Sequence, residues 1–166
     1  MKILYVVRHA KSSWEDLDLS DFDRPLNERG KRDAPKMGRR LKEREITPDL
    51  MLSSPANRAL TTCKVIADIL GYDQVRIKTD QKIYHASENE LFEVASEFND
   101  NFDEVMIFGH NPGLTDFVNE LLNERIMNVP TCGIVAGKLK INSWKEIRPG
   151  CGKLYFFDFP KRNLKK

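Results

Sequence analysis

Cysteine is scarce in this chain of 166 residues: Cys63, Cys132 and Cys151 are far apart and odd in number. That argues against a disulfide framework and leaves no paired spacing for a zinc site. A reducing, cytoplasmic setting is the expectation. An excess of one charge is lacking too. Lys and Arg number 27 against 25 Asp and Glu, a net charge of +2, too near balance for a protein that coats nucleic acid. Long apolar runs are missing: none could span a bilayer, and Ile3 to Val7 is too short for a signal peptide's apolar region. Neither a nucleic-acid nor a membrane partner is expected. Repeats, low-complexity stretches and Ser/Gly-rich linkers are also lacking, so a single domain over 1–166 is the simplest division. Residues 160–166 read as a short, solvated basic tail. What is present is enough apolar sequence to bury a core, 40% hydrophobic against 31% charged.

Ile3-Leu4-Tyr5-Val6-Val7 is continuously apolar and rich in β-branched residues, the pattern of a strand buried on both faces. Val105-Met106-Ile107-Phe108 repeats it and Gly109 ends it. Leu50-Met51-Leu52, before Ser53-Ser54-Pro55, is a shorter third strand. Val75-Arg76-Ile77-Lys78 alternates like an edge strand, and Ile134 to Ile141 and Lys153 to Phe159 read as two late, neighbouring strands. Helices are expected between them. Asn27 caps one running to about Arg44, with a distortion or a later start at Pro35. Another runs from Pro55 to Leu70 and is stopped by Gly71. Ser87 and Glu90 form the capping box of a third, with Leu91, Val94, Ala95 and Phe98 on one face. A fourth covers Pro112 to Leu122. The alternation gives an α/β fold with a mostly parallel sheet of about six strands, whose ligands bind beyond the strands' carboxyl ends.

Three such junctions carry cations. Arg8-His9 follows the first strand, Arg58 lies just inside the helix after Ser53-Ser54-Pro55, and His110 follows the Val105 to Phe108 strand. Taken singly, each is more often an ordinary solvated or hydrogen-bonded residue. Three at equivalent positions, in a chain with 3 His, point to convergence on an anion, most simply a phosphoryl group.

These residues resemble the signature of the histidine phosphatase superfamily. Val7-Arg8-His9-Ala10-Lys11-Ser12-Ser13-Trp14 is similar to its opening R-H-G motif, with Ala10 where Gly is usual. Asp23-Arg24-Pro25-Leu26-Asn27-Glu28-Arg29-Gly30 resembles its D-x-P-L-T/N-x-x-G stretch. Ser53 to Thr62 resembles S-S-P-x-x-R-A-x-x-T. Phe108-Gly109-His110-Asn111-Pro112-Gly113 resembles the G-H-N-P signature of the SixA-type phosphohistidine phosphatases. The resemblance runs from Lys2 to about Phe159, and the short chain without an inserted cap fits the SixA branch. It implies a phosphoglycerate mutase-like, three-layer α/β fold.

It also implies roles. His9 is the nucleophile, attacking phosphorus to form a phosphohistidine intermediate. Arg8, Arg58 and His110 bind the phosphoryl oxygens, joined by Ser12 and the amides around Asn111. On the residues alone, Arg8 and Arg58 should keep His9 neutral near pH 7. A backbone carbonyl is expected to hold its other ring nitrogen. No metal or other cofactor is expected, because four cationic groups supply the charge a metal would. Glu88, or Glu90, is the candidate general acid, though either can simply serve the helix start. SixA-type proteins generally lack a clear acid, which suits an imidazole leaving group better than an alkoxide. His85, Lys11, Trp14 and the stretch Met127 to Gly133 are possible pocket neighbours. The expected activity is metal-independent hydrolysis of protein phosphohistidine by a monomer, releasing inorganic phosphate. The alternatives are a broad small-molecule phosphomonoesterase and a non-catalytic phosphate-binding domain.

Overall fold

In the first strand, β1 (Lys2–Arg8), the side chains alternate between two cores. Leu4 and Val6 enter one apolar cluster and Tyr5 and Val7 the other, because successive residues of a strand face opposite ways. The computed structural model describes residues 1–162, so the basic tail lies outside the described residues from Asn163 onward. The remaining elements in chain order are α1 (Glu28–Glu43), β2 (Leu50–Ser53), α2 (Asn57–Leu70), β3 (Lys78–Thr79), α3 (Glu88–Ser96), β4 (Glu104–Gly109), α4 (Gly113–Leu122), β5 (Ile134–Leu139) and β6 (Gly152–Asp158). Six strands form one sheet in the order β3-β2-β4-β1-β5-β6. The pairs β3–β2, β2–β4 and β4–β1 are parallel, and β5 runs against both of its neighbours.

Helices cover both faces. Met37 and Leu41 of α1 and Cys63, Ile66 and Ala67 of α2 pack with Tyr5, Val7, Met106 and Phe108. Leu91 and Val94 of α3 and Leu114, Phe117, Val118 and Leu121 of α4 pack with Leu4, Val6, Val105 and Ile107. The result is the expected three-layer α/β architecture. Among the described residues no helix is long and apolar enough to cross a membrane.

Local chemistry sets the ends of these elements. Asn27 accepts from the Gly30 N–H at the start of α1, Gly71 adopts φ +76° after α2, and Ser87 and Glu90 complete a capping box on α3. Two expectations need correction. Pro35 neither breaks α1 nor delays its start. Its missing N–H costs about 3 kcal/mol, but Met37 and Leu41 beside it are fully buried, each contributing about 1.5–3 kcal/mol. The edge strand is only Lys78–Thr79, because Gln74–Arg76 forms a 3-10 turn started by the Asp73 side chain. Of the described part of the tail, Lys161 and Arg162 are exposed, and the buried Pro160 before them offers its carbonyl to Lys36 Nζ at 2.7 Å.

Candidate active site

Strand register places the cations together. Arg8 is level with Gly109 in the β1–β4 pair, and Ser53 is level with Phe108 in the β2–β4 pair. The three parallel strands therefore end side by side, and the residues that follow them, His9, Ser54 and His110, emerge at one edge of the sheet. Arg58 reaches the same edge from the first turn of α2. β5 begins there as well, where the Cys132 N–H donates to the His9 carbonyl at 2.9 Å. Arg8, His9, Arg58 and His110 line one cavity of about 230 Å³, with Lys11, Ser12, Trp14, Arg24, His85, Asn111 and Thr131.

The His9 ring is 7% exposed, and its Nδ1 lies 2.7 Å from the Ala10 carbonyl. A carbonyl only accepts, so Nδ1 carries the proton and Nε2 keeps a free lone pair. Burial pushes its pKa down to about 4, and the charges of Arg58, Arg8 and Arg24 push the same way, against the Ala10 carbonyl. This corrects the expected cause of neutrality: burial does more than the arginines. His110 is also neutral at pH 7. Burial first, then His9 and Arg58, bring it down to about 3. The His9 and His110 imidazoles thus carry no charge, and the buried positive groups are guanidiniums, with the exposed Lys11 beside them.

There are three guanidiniums rather than two. Sequence reasoning passed over Arg24, which is 7% exposed and lies with its Cζ 3.5 Å from the centre of the Trp14 ring. It also missed Asp21, the residue that organises them. Asp21 Oδ1 accepts from Arg24 Nε and Nη2, and Oδ2 accepts from Arg58 Nη2 at 3.0 Å and from the Tyr84 hydroxyl at 2.7 Å. The Asp21 carbonyl takes Arg58 Nη1 at 2.7 Å. Partial burial pushes this carboxyl's pKa up, but the bonds from Tyr84 and Arg58 and the charge of Arg58 hold it well below the usual carboxylate range. Asp21 therefore grips Arg58 by the end of its fork and leaves the Nε side open. Asp21 lies on a 3-10 turn just before the Asp23 to Gly30 motif. The only sequence signal was an acid placed three residues before an arginine.

Several donors remain unused. Arg58 Nε, Arg8 Nε and His110 Nδ1 are buried without a hydrogen-bond partner. Arg8 holds its place through Nη1 on the Val129 carbonyl at 3.0 Å. His110 Nε2 lies 2.8 Å from Ser54 Oγ, which already accepts from the Ala56 N–H. If Ser54 gives its proton to Nε2, the proton of the neutral ring sits on Nδ1 as an N–H without an acceptor. Leaving a buried donor unsatisfied costs about 1–3 kcal/mol. Three around one cavity mark a place shaped for an anion.

The other expected residues divide. Ser12 lines the cavity and accepts from Arg24 Nη1 at 2.8 Å. Asn111 lines it too, but its side chain works in the wall: Nδ2 donates to Asn128 and Val129, and Oδ1 accepts from Thr115. Of the stretch Met127 to Gly133, Thr131 reaches the cavity. Glu88 does not. It lines a neighbouring hollow with Ser87, Pro112 and Asp116, and a hydrogen bond shared with Glu120 raises its pKa. Glu90 is held by the capping box. Among the described residues no three His, Cys, Asp or Glu side chains gather closely enough to hold a metal ion.

Residues 4–124 match the profile of the histidine phosphatase superfamily (branch 1). An uncharacterized chloroplastic protein of Arabidopsis thaliana is 30% identical over 151 residues, covering 86% of this chain and 69% of the relative. Among solved structures, a SixA protein of Agrobacterium tumefaciens superposes with a TM-score of 0.80 at 25% identity, over 96% of this chain and 98% of the other. The protein histidine phosphatase SixA complexed with tungstate also gives 0.80, at 20% identity over 95% and 97%. The chain belongs to the histidine phosphatase superfamily.

Proposed function

We propose that this phosphatase hydrolyses phosphohistidine carried by a protein, through a covalent intermediate on His9. The observation that supports it is the set of buried, unpartnered nitrogens, Arg8 Nε, Arg58 Nε and His110 Nδ1, on residues that line the same cavity as His9, whose free Nε2 is neutral. In the first step Nε2 attacks phosphorus while the P–N bond to the substrate imidazole breaks, and the departing ring takes a proton from solvent. In the second, water attacks phosphorus, the bond to Nε2 breaks, and inorganic phosphate leaves with a proton released. The guanidiniums of Arg8 and Arg58 and the His110 N–H stabilise the oxygens on which charge collects.

The choice of leaving group follows from the lining. No Asp or Glu is among the residues that line the cavity, and the nearest carboxylate of the site, Asp21, is held ionised by Arg58 and Tyr84. An alkoxide needs a proton donor as it departs; an imidazole needs far less help. The arrangement therefore favours phosphohistidine over alkyl phosphates. A SixA structure that shares this fold is complexed with tungstate, an oxyanion. A paired assay of a phosphohistidine peptide and an alkyl phosphate, in EDTA, tests the reading. Wild type should prefer phosphohistidine, and His9→Ala should lose more than about 10⁴-fold in kcat. Faster hydrolysis of the alkyl phosphate would move the substrate to small phosphomonoesters, and hydrolysis surviving in His9→Ala would remove His9 from the nucleophile role.

A further inference from the structure

The loop from Ser13 to Asp23 gathers three exposed apolar side chains within six residues. Leu17 is 88% exposed, Trp14 66% and Leu19 38%. Between them lie Glu15, Asp16 and Asp18, all exposed. Among the described residues none of these three acids forms an ion pair. From Ser12 to Asp23 there are five acids and no Lys or Arg, in a chain whose net charge is +2. A single exposed leucine needs no explanation. A cluster of exposed apolar side chains set among unpaired acids on one loop does.

The loop is held at the mouth of the cavity. Ser12 bridges to Leu26, and the Ser13 N–H donates to the Pro25 carbonyl at 2.8 Å. Trp14 and Arg24 both line the cavity, and Asp21 is bonded to Arg58. Elsewhere near the cavity wall, Met127 is 97% exposed in the segment whose Asn128 Oδ1 accepts from the Asn111 amide. Exposed apolar side chains and unpaired acids thus stand together on a loop that borders a cationic cavity.

We propose that this loop, with Leu17 at its centre, is the docking surface for a protein segment whose phosphorylated residue is flanked by basic and apolar side chains. The identity of the phosphorylated residue rests on the phosphohistidine reading; the basic flank does not. Charge selects the partner. The acids repel anionic lipid and nucleic acid and attract Lys and Arg, while the guanidiniums behind them take the phosphoryl group. Leu17 and Leu19 supply the apolar patch that a protein interface desolvates at its centre. A small phosphorylated metabolite would fill the cavity and leave this loop unused.

The experiment compares three substrates: a phosphohistidine peptide with Lys, Arg and Leu flanks, the same peptide with Glu flanks, and free phosphohistidine. Two variants are used, Leu17→Ser and the triple Glu15→Gln/Asp16→Asn/Asp18→Asn; none of these residues lines the cavity. Wild type should cleave the basic-flank peptide with kcat/KM about tenfold above the acidic-flank peptide, and added salt should narrow the gap. The triple variant should erase the preference, Leu17→Ser should raise KM for both peptides, and free phosphohistidine should be unaffected by either. Equal cleavage of the two peptides by wild type overturns the proposal. So does a preference that survives in the triple variant, or an equal loss on free phosphohistidine. If phosphohistidine is not hydrolysed in any form, the same flanks and variants are run on phosphotyrosine peptides. A flank preference lost in the triple variant then keeps the docking surface while discarding phosphohistidine; no preference there overturns both. Self-association of wild type that Leu17→Ser abolishes, with no flank preference, would instead assign the loop to a second copy of this chain.

Discussion

The two ends of β1 hold buried cations in opposite circumstances. At its start Lys2 is 3% exposed, and its Nζ donates to the Asp100 and Phe102 carbonyls and to the Asp103 carboxylate, at 2.7, 3.2 and 3.0 Å. An ammonium has three protons, and here each has an acceptor. The Trp144 indole N–H also donates to the Phe102 carbonyl, closing that end of the sheet. At the other end Arg8 Nε, Arg58 Nε and His110 Nδ1 have no acceptor. The same fold that satisfies one buried cation completely leaves a cluster of donors unsatisfied at the other end of the strand. A satisfied cation belongs to the architecture. An unsatisfied cluster is held ready for a ligand that brings its own negative oxygens.

The largest expected contrast is a pair of substitutions. Arg58→Ala should lower kcat about 10²–10³-fold, the loss typical of one transition-state donor, with little change in melting temperature. Lys2→Met should do the reverse. It leaves the Asp100 carbonyl without its lysine donor and the Asp103 carboxylate without its cation, and should cost about 1–3 kcal/mol of stability with kcat unchanged. Activity and urea unfolding measured on both proteins decide the matter. An Arg58→Ala protein that is fully active but unstable would make the two ends equivalent and remove the case for a site.

The two ends should also differ in their response to acid. His9 and His110 are held neutral, with pKa values brought from 6.5 down to about 4 and about 3. Between pH 6.5 and these values the unfolded chain binds protons that the folded chain refuses. Stability is therefore flat above pH 6.5 and falls as pH drops below it, by up to about 1.4 kcal/mol per pH unit for each histidine. Where both rings stay neutral in the folded chain and are protonated in the unfolded one, the two contributions add. Urea midpoints followed from neutrality to about pH 5 should show the fall, and His9→Ala should roughly halve it. A midpoint independent of pH across this window would mean that the rings are not held neutral.

The strands and their order of use were legible because apolar runs and helix caps are local signals: Ile3 to Val7, Val105 to Phe108, Asn27, Gly71 and the Ser87–Glu90 box all act within a few residues. The convergence of Arg8, His9, Arg58 and His110 was legible because parallel strands end together. Failures arose where a tertiary contact overrode a local rule. Pro35 stays inside α1 because burial of its neighbours outweighs one lost hydrogen bond, and Val75 is exposed because the Asp73 side chain starts a turn there. Arg24 and Asp21 escaped notice for another reason. Each gains its meaning from a partner 12 to 63 positions away, Ser12, Arg58 or Tyr84, and nothing in the local sequence announces it.

Asp21 gives the smallest and most discriminating test of the comparison. At the Lys2 end the carboxylate of Asp103 simply completes a cation's shell. At the active end Asp21 holds Arg58 by its carbonyl on Nη1 and its carboxylate on Nη2, and Arg58 Nε stays buried without a partner. Asp21→Asn keeps the size and an acceptor oxygen but removes the charge, and an amide nitrogen now competes for one of the places held by Arg24, Arg58 and Tyr84. The guanidinium of Arg58 should lose its fixed orientation while remaining in the cavity. The expected result is about a tenfold fall in kcat/KM, roughly 1.4 kcal/mol, with weaker inhibition by tungstate and an unfolding midpoint close to wild type. Loss of stability without a change in tungstate inhibition would place Asp21 with Asp103, as a partner that completes a shell rather than one that aims a donor.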